Sequence, residues 1–255
     1  MTPRRPRGAD PTLRLNRYLA RAGHGSRRSV EDLVREGRVA IDGETVRDLG
    51  RRVDPRRHEV TVDGMRAVLP DDVRVYAFHK PAEVVSTLRA QGGQHGLEEF
   101  RRRADLPDRF KPVGRLDQDS TGLLLWTDDG DLADALLRPR RGVWKTYEVT
   151  LARALGRGLE QTLADGSIVL DGRPVRPCRV QPDESGDRRR WRLELHEGRK
   201  RQIRRMIAAV DNRVVALVRV AVGPIQLGRL RAGDFRRLSR DEEQALREAA
   251  GQGAP

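Results

Sequence analysis

The spacing of apolar residues changes from a helical to a strand period early in this chain. Leu15, Tyr18, Leu19 and Ala22 recur three and four apart, as on a helix buried along one side. Gly23 and Gly25 stop that pattern, and Ser26 has the chemistry of an N-cap for a second helix with Val30, Leu33 and Val34 as its apolar stripe. Glu31 and Asp32 fall early in this helix, where acid suits the helix dipole. The period then drops to two. "EGRVAIDGETV" reads as strand, Asp42-Gly43 turn, strand, and "HEVTVDGMRAV" repeats the form around Asp63-Gly64. These elements predict a small α+β unit over residues 13–70. The Arg- and Pro-rich residues 1–12 carry no such pattern and are expected to be a disordered basic tail.

"LPDDVR", residues 69–74, reads as a linker to a second, larger unit over 71–243. Strands are predicted in "VYAFHKP", "GLLLWTDDG", "WKTYEVTLA", "RRRWRLELHEG" and "VVALVRVAVGPIQLG", and helices in "DLADALLRP" and "RKRQIRRMIAAVD". Strands outnumber helices and short turns join most of them. A doubly wound parallel sheet, with a helix after every strand, does not fit; a mixed, mainly antiparallel β-sheet flanked by helices does. The end, residues 244–255, is expected to continue a helix begun near Asp241 and then fray.

Composition narrows the function. Formal net charge is +13 in 255 residues, which favours a polyanionic partner. No stretch approaches the ~20 apolar residues of a spanning helix, and no apolar signal core follows the basic start, so the reading is a cytoplasmic protein with no membrane partner. The single Cys178 excludes a disulfide framework, and the scattered histidines offer no pair at metal-ligand spacing. Almost every positive charge is Arg: the only lysines are Lys80, Lys111, Lys145 and Lys200.

The candidate chemistry centres on "VGRLDQDSTGLLLWTDDG", residues 113–130. Three readings compete for Arg115 and Asp117. They form a structural ion pair; or Asp117 and Asp119 join Asp128, Asp129 or Asp131 around a metal; or Asp117 is a working carboxylate held by its strand. A strand advances about 3.3 Å per residue, so the apolar run would carry Asp128, Asp129 and Asp131 to its far end, where they suit a turn and the N-cap of "DLADALL".

Two resemblances add to this. "LNRYLARAGHGSRRSVEDLVREGRVAIDG" resembles the alpha-L RNA-binding motif, which implies that Arg27 and Arg28, at a helix start, contact phosphate. "GRLDQDSTGLLLWTDDG" resembles the signature of the pseudouridine synthases that act on ribosomal RNA, within the small-subunit synthase A (RsuA) family. The resemblance selects the third reading, with Asp117 catalytic and Arg115 entering the space left by a flipped base. "KTYEV" is similar to the family's second motif, which makes Tyr147 the residue that stacks on the uracil. "EGRKRQIRRM" is similar to the third, which makes Arg204 the partner of the catalytic carboxylate and leaves Arg199 and Lys200 as RNA contacts. "VGPIQLGRLRAGDFRRLS" is similar to the closing motif, with Leu227 or Leu230 walling the pocket. Gln118 and Asp119 receive no role. The resemblance implies an isomerase, whose reaction involves no redox step or donated group and so needs no cofactor; a monomer is the default expectation. Its substrate would be rRNA or a ribosome-assembly intermediate, 23S rather than 16S. Without Asp117's role, the same basic surface would suit a non-catalytic RNA-binding assembly factor, or a metal-dependent nuclease.

Overall fold

A computed structural model describes residues 12–69, 74–89, 92–138 and 142–251. The chain divides into two compact units after Val73. The tail over 1–11 and the middle of the linker, 70–73, lie outside the described residues.

The first unit has helices α1 (Leu15–Arg21) and α2 (Ser29–Arg35) and a four-stranded antiparallel sheet centred on β1 (Val39–Ile41) and β2 (Val60–Val62). Leu15, Leu19, Val30 and Val34 from the helices meet Val39, Ile41, Val60 and Val62 from the sheet in one core. Asp42 and Asp63 take positive φ, as the two Asp-Gly turns require. Ser26 lies before α2 rather than at its N-cap, which is Arg28. It still holds the entry turn, because Ser26 Oγ accepts from Ser29 N at 3.1 Å and Ser29 Oγ accepts from Ser26 N at 2.8 Å.

The second unit is a mixed sheet with helices against it. Its strands are β3 (Val75–Lys80), β4 (Thr121–Thr127), β5 (Lys145–Leu151), β6 (Arg179–Pro182), β7 (Arg190–Leu195), β8 (Val214–Val222) and β9 (Phe235–Arg237). They run in the order β6-β7-β5-β8-β4-β3-β9. Pairing along this path is antiparallel except between β4 and β8. Helices α3 (Leu97–Arg103), α4 (Gly130–Leu137), α5 (Leu159–Ala164), α6 (Gln202–Ala209) and α7 (Arg240–Ala249) complete it.

The continuous apolar run of β4 follows from its position. Leu123 and Leu125 face a core with α4 and α7, while Leu124 and Trp126 face an aromatic cluster of Phe78, Phe100 and Phe110 on the other side. A strand covered on both faces has no polar side to show. Across the β4–β8 junction, a separate core gathers Val149, Leu193 and Leu217 under Ile203, Met206 and Ile207 of α6. The last helix is not a frayed end. Leu246 and Ala250 are wholly buried, so the expected boundary at residue 243 falls inside a packed element. Its start has a full capping box between Ser239 and Glu242.

The two halves of the sheet meet at Gly122. A Cβ there would lie 2.3 Å from the Arg219 carbonyl oxygen and 2.6 Å from its nitrogen, and φ is +106°. Only glycine allows this main-chain approach. Gly122→Ala should therefore cost about 2–4 kcal/mol, read as a lower urea midpoint with an unchanged slope. A second expectation concerns α3. The Glu98 carboxyl is drawn down to about 2, first by hydrogen bonds from Arg101. A depressed carboxyl stabilises the fold above its unfolded value and loses that contribution as pH falls toward the folded value. Between pH 5 and 2, roughly, the wild type should lose more stability than Glu98→Gln when both are followed by thermal unfolding.

Candidate active site

A cavity of about 620 Å³ opens in the second unit, within the usual range for a small-molecule site. Its lining includes Arg115, Asp117, Tyr147, Lys200 and Arg201, with Lys145 and Arg219 from β5 and β8. The apolar wall is Val113, Leu125, Leu136, Leu195, Leu217 and Val222.

Asp117 reaches this cavity from a loop, not from a strand as the sequence pattern suggested. β4 begins only at Thr121, and Ser120 N donates to the Asp117 carbonyl at 3.1 Å to close a turn. The rigidity comes from Lys80, at the end of β3. Lys80 has no exposed surface, and its Nζ donates to the carbonyls of Pro81 and Ser120 at 2.8 Å and of Gln118 at 3.3 Å. Burial pulls its ammonium down to about 8, against the opposing pull of Asp119, Glu83 and Asp117. Ser86 holds the other side of the loop: its Oγ donates to the Leu116 carbonyl at 2.6 Å and accepts from Leu116 N at 3.1 Å. The residue before Asp117 is thus fixed at both its main-chain groups.

Arg115 and Asp117 form no ion pair. Arg115 is exposed, and among the described residues it makes no hydrogen bond or ion pair. The nearest cation to Asp117 is Arg201, whose Nη1 is 4.0 Å from Oδ2. Arg201 sits at the N-cap of α6 with φ of 50° and is otherwise engaged, donating to both oxygens of Asp119 at 3.0 and 3.1 Å. Arg204 also goes to Asp119, at 3.3 Å from Oδ2 and 2.9 Å from the carbonyl. The expected Arg204–Asp117 pair is therefore replaced by pairing with Asp119, because Arg204, in the first turn of α6, reaches the Asp119 carbonyl and Ser120 Oγ at the end of the 117–120 turn. Burial pushes the Asp119 carboxyl up, but the Arg201 hydrogen bonds and the charges of Arg204 and Arg201 outweigh it, and the net shift is downward.

Two other expected residues take different places. Arg199 spends its guanidinium inside the protein, donating to the carbonyls of Leu170, Arg173 and Pro174 and lying 3.6 Å from Glu197. It ties the loop before α6 to the Val169–Pro174 hairpin and also lines the cavity. Leu227 packs in the α4–α7 core, with Leu230 against it, and neither lines the cavity. Tyr147 and Lys200 do line it. Arg27 and Arg28 are exposed in the first unit, where they make no ion pair among the described residues.

Sequence reasoning gave no role to Lys80, Asp119, Lys145 and Arg219. The one signal for the lysines was rarity in a chain that otherwise uses Arg. The far acids of the motif serve the fold: Asp129 caps α4 through the nitrogens of Asp131 and Leu132 and meets Arg247, while Asp128 accepts from Arg74 N and pairs with Arg109. Among the described residues no group of three His, Cys, Asp or Glu side chains could hold a metal ion, and no helix is long and apolar enough to cross a membrane.

The chain that forms this cavity matches a known class of proteins. Residues 74–209 match the RNA pseudouridylate synthase family, and residues 13–57 match the S4 domain. An uncharacterised RNA pseudouridine synthase of Mycobacterium leprae is 41% identical over 253 residues, covering 97% of each chain. Ribosomal large subunit pseudouridine synthase B of Bacillus subtilis is 33% identical over 242 residues, covering 94% of this chain and 98% of the relative. A crystal structure of a pseudouridylate synthase superposes with a TM-score of 0.64 at 29% identity, covering 92% of this chain and 99% of that one. The chain belongs to the RNA pseudouridine synthases: it is an isomerase acting on RNA, with an N-terminal S4 domain.

The Lys80 contacts make a direct prediction. Lys80→Met removes a donor from the Pro81 and Ser120 carbonyls, while Gln118 keeps its bond from Glu83 N at 2.9 Å, and should cost about 2–4 kcal/mol in urea unfolding. The Ser120 amide, which closes the turn, should exchange with solvent faster than amides of β4 by at least the factor that the global loss explains.

Proposed function

We propose that this protein converts a uridine of ribosomal RNA, in the 23S molecule, to pseudouridine, with Asp117 as the catalytic carboxylate. One observation carries the assignment. Of the two carboxylates in the cavity wall, Glu197 is engaged by Gln202 at 2.6 Å, by Arg176 N at 3.0 Å and by Arg199. Asp117 makes no side-chain hydrogen bond among the described residues and faces the cavity with Arg201 at 4.0 Å. An acid left this open is free to meet a substrate, as either a nucleophile or a base must be.

The reaction moves a uracil from N1 to C5 attachment. Asp117 attacks C1′, or removes the C2′ proton; in both routes the N1–C1′ bond breaks and its electron pair leaves with the uracil. The base rotates and C5 bonds to C1′, displacing Asp117 from C1′ in the first route and with the C2′ proton returned in the second; the C5 hydrogen departs as a proton and N1 takes one up. No electrons are gained or lost overall. A stacked base is out of reach, so the nucleotide must be extruded, at a cost of a few kcal/mol. Arg115, exposed and unpaired at the cavity edge, is suited to fill the vacated place in the RNA. Tyr147 supplies an aromatic face in the cavity, and Lys200 a cation at its rim. Arg204 acts through Asp119, as a positioning residue. Arg27 and Arg28 supply phosphate contacts from the S4 domain. The 23S assignment is supported by the relative named for the large subunit, and an rRNA substrate implies a cytoplasmic location. We read the active form as a monomer, because every group used above lies in one chain.

Tritium release tests the assignment. Transcripts of 23S and 16S rRNA labelled at uridine C5 are incubated with the protein in EDTA, beside Asp117→Asn. The expected outcome is near-stoichiometric release from the 23S transcript alone and none from the variant. Release from 16S alone would move the substrate to the small subunit. Undiminished release by Asp117→Asn would remove Asp117 from its role.

A further inference from the structure

The floor of the cavity holds two cations for which the isomerisation scheme above has no use. Lys145 and Tyr147 lie two apart on β5 and so share a face, and Arg219 is the cross-strand partner of Tyr147 on β8. All three line the cavity. Arg219 is 4% exposed. Its Nε donates to the Leu123 carbonyl at 2.7 Å, and Lys145 Nζ donates to the Val143 carbonyl at 3.2 Å. Neither meets a carboxylate among the described residues. Burial, then the charge of Arg219, lowers the Lys145 ammonium to about 8.

Elsewhere Arg101, the other buried arginine among the described residues, pairs with Glu98, and the partly buried Arg204 and Arg247 pair with Asp119 and Asp129. A buried charge with no partner is costly, and two side by side repel as well. Such an arrangement gains a reason if a negative charge arrives during the reaction. The surroundings say which kind. Leu125, Leu195, Leu217 and Val222 line the same cavity, and they would strip the hydration that a phosphate needs. A flat, delocalised anion suits apolar walls and cationic edges together.

We propose that Lys145 and Arg219 form the anion site for the detached uracil, stabilising its charge while it is bonded to neither N1 nor C5. This rests on the uridine isomerisation proposed for this cavity. When the N1–C1′ bond breaks, the electron pair stays on the base and spreads over N1, O2 and O4. The two cations hold that charge by electrostatic preorganisation. When C5 bonds to C1′ the pair is shared again and the base is neutral; it stays neutral as the C5 proton leaves and N1 takes one up, and the site is uncompensated as before. Lys145 is then a catalytic residue. Arg219 shares the charge and also clamps the Leu123 carbonyl.

The test compares leaving groups. Lys145→Met and Lys145→Arg are assayed under single-turnover conditions on the transcript that the wild type modifies. A matched transcript carries 5-fluorouridine, whose base bears negative charge more easily. Tritium release follows the first; loss of the fluorouridine nucleotide in nuclease digests, read by mass spectrometry, follows the second. Lys145→Met should slow the uridine reaction about 10²–10³-fold with RNA affinity within about twofold of wild type. Its loss on fluorouridine should be at least ~10-fold smaller, and Lys145→Arg should recover most of the rate. Removing an uncompensated buried charge should leave the urea midpoint unchanged or raised. An equal loss on both substrates, an effect confined to affinity, or a fall in urea midpoint matching the loss of activity would overturn the proposal. A wild-type protein that frees no tritium and consumes no fluorouridine would instead overturn the isomerase assignment to this cavity, and this inference with it.

Discussion

The second unit depends on a main-chain contact too close for any side chain. Gly122 lies between Lys80 of β3 and Arg219 of β8 in the register of the sheet, and its missing Cβ lets β4 and β8 run side by side in parallel. This junction joins the half-sheet under α4 and α7 to the half-sheet under α6. Three elements of the site converge on it. The loop carrying Asp117 enters β4 one residue before this strand's glycine, Lys80 pins that loop from one side, and Arg219 enters the cavity from the other. The carboxylate and the cationic floor are therefore placed by the same backbone packing, not by separate loops.

Charge is then distributed by competition. Asp119, two residues beyond Asp117, accepts from Arg201 and Arg204 and so takes the cations that Asp117 would otherwise bind tightly. A bidentate pair is strong because its two hydrogen bonds are charge-assisted. A carboxylate in such a pair is closed to other partners; one with a guanidinium 4.0 Å away is left open. The acid next door keeps Arg201 close without letting it close on Asp117.

How much of this was legible in the sequence depended on the kind of information each feature needs. Period and turn chemistry are local, so the helix pair, the Asp-Gly hairpins and the apolar β4 were readable. The mixed sheet was readable from the shortage of helices between strands, and the cavity residues Asp117, Arg115 and Tyr147 from a long motif. Side-chain partners are not local. Arg204 was assigned to Asp117, yet the turn at 117–120 offers it Asp119 instead. Arg199 resembled its exposed neighbours but is drawn inward by three hairpin carbonyls twenty-five or more residues away in sequence. Leu227 belonged to a motif, but whether a leucine faces a cavity or a core is fixed by packing. Lys80 and Lys145 had only their rarity to mark them, and rarity does not say what a residue does.

That same rarity has a practical side. Lys80 is sequestered among carbonyls and Lys145 is half-buried in the cavity floor, while Lys111 and Lys200 are exposed. Lys111 pairs opposite Thr127, at the far end of β4 from Asp117, whereas Lys200 stands at the cavity rim. Amine-directed chemistry on the native side chains thus has two exposed addresses, one at the mouth of the site and one removed from it. The ratio of label on Lys200 to label on Lys111 becomes a gauge of occupancy with its own internal reference, in a protein whose arginine-rich surface would otherwise give such reagents little to read.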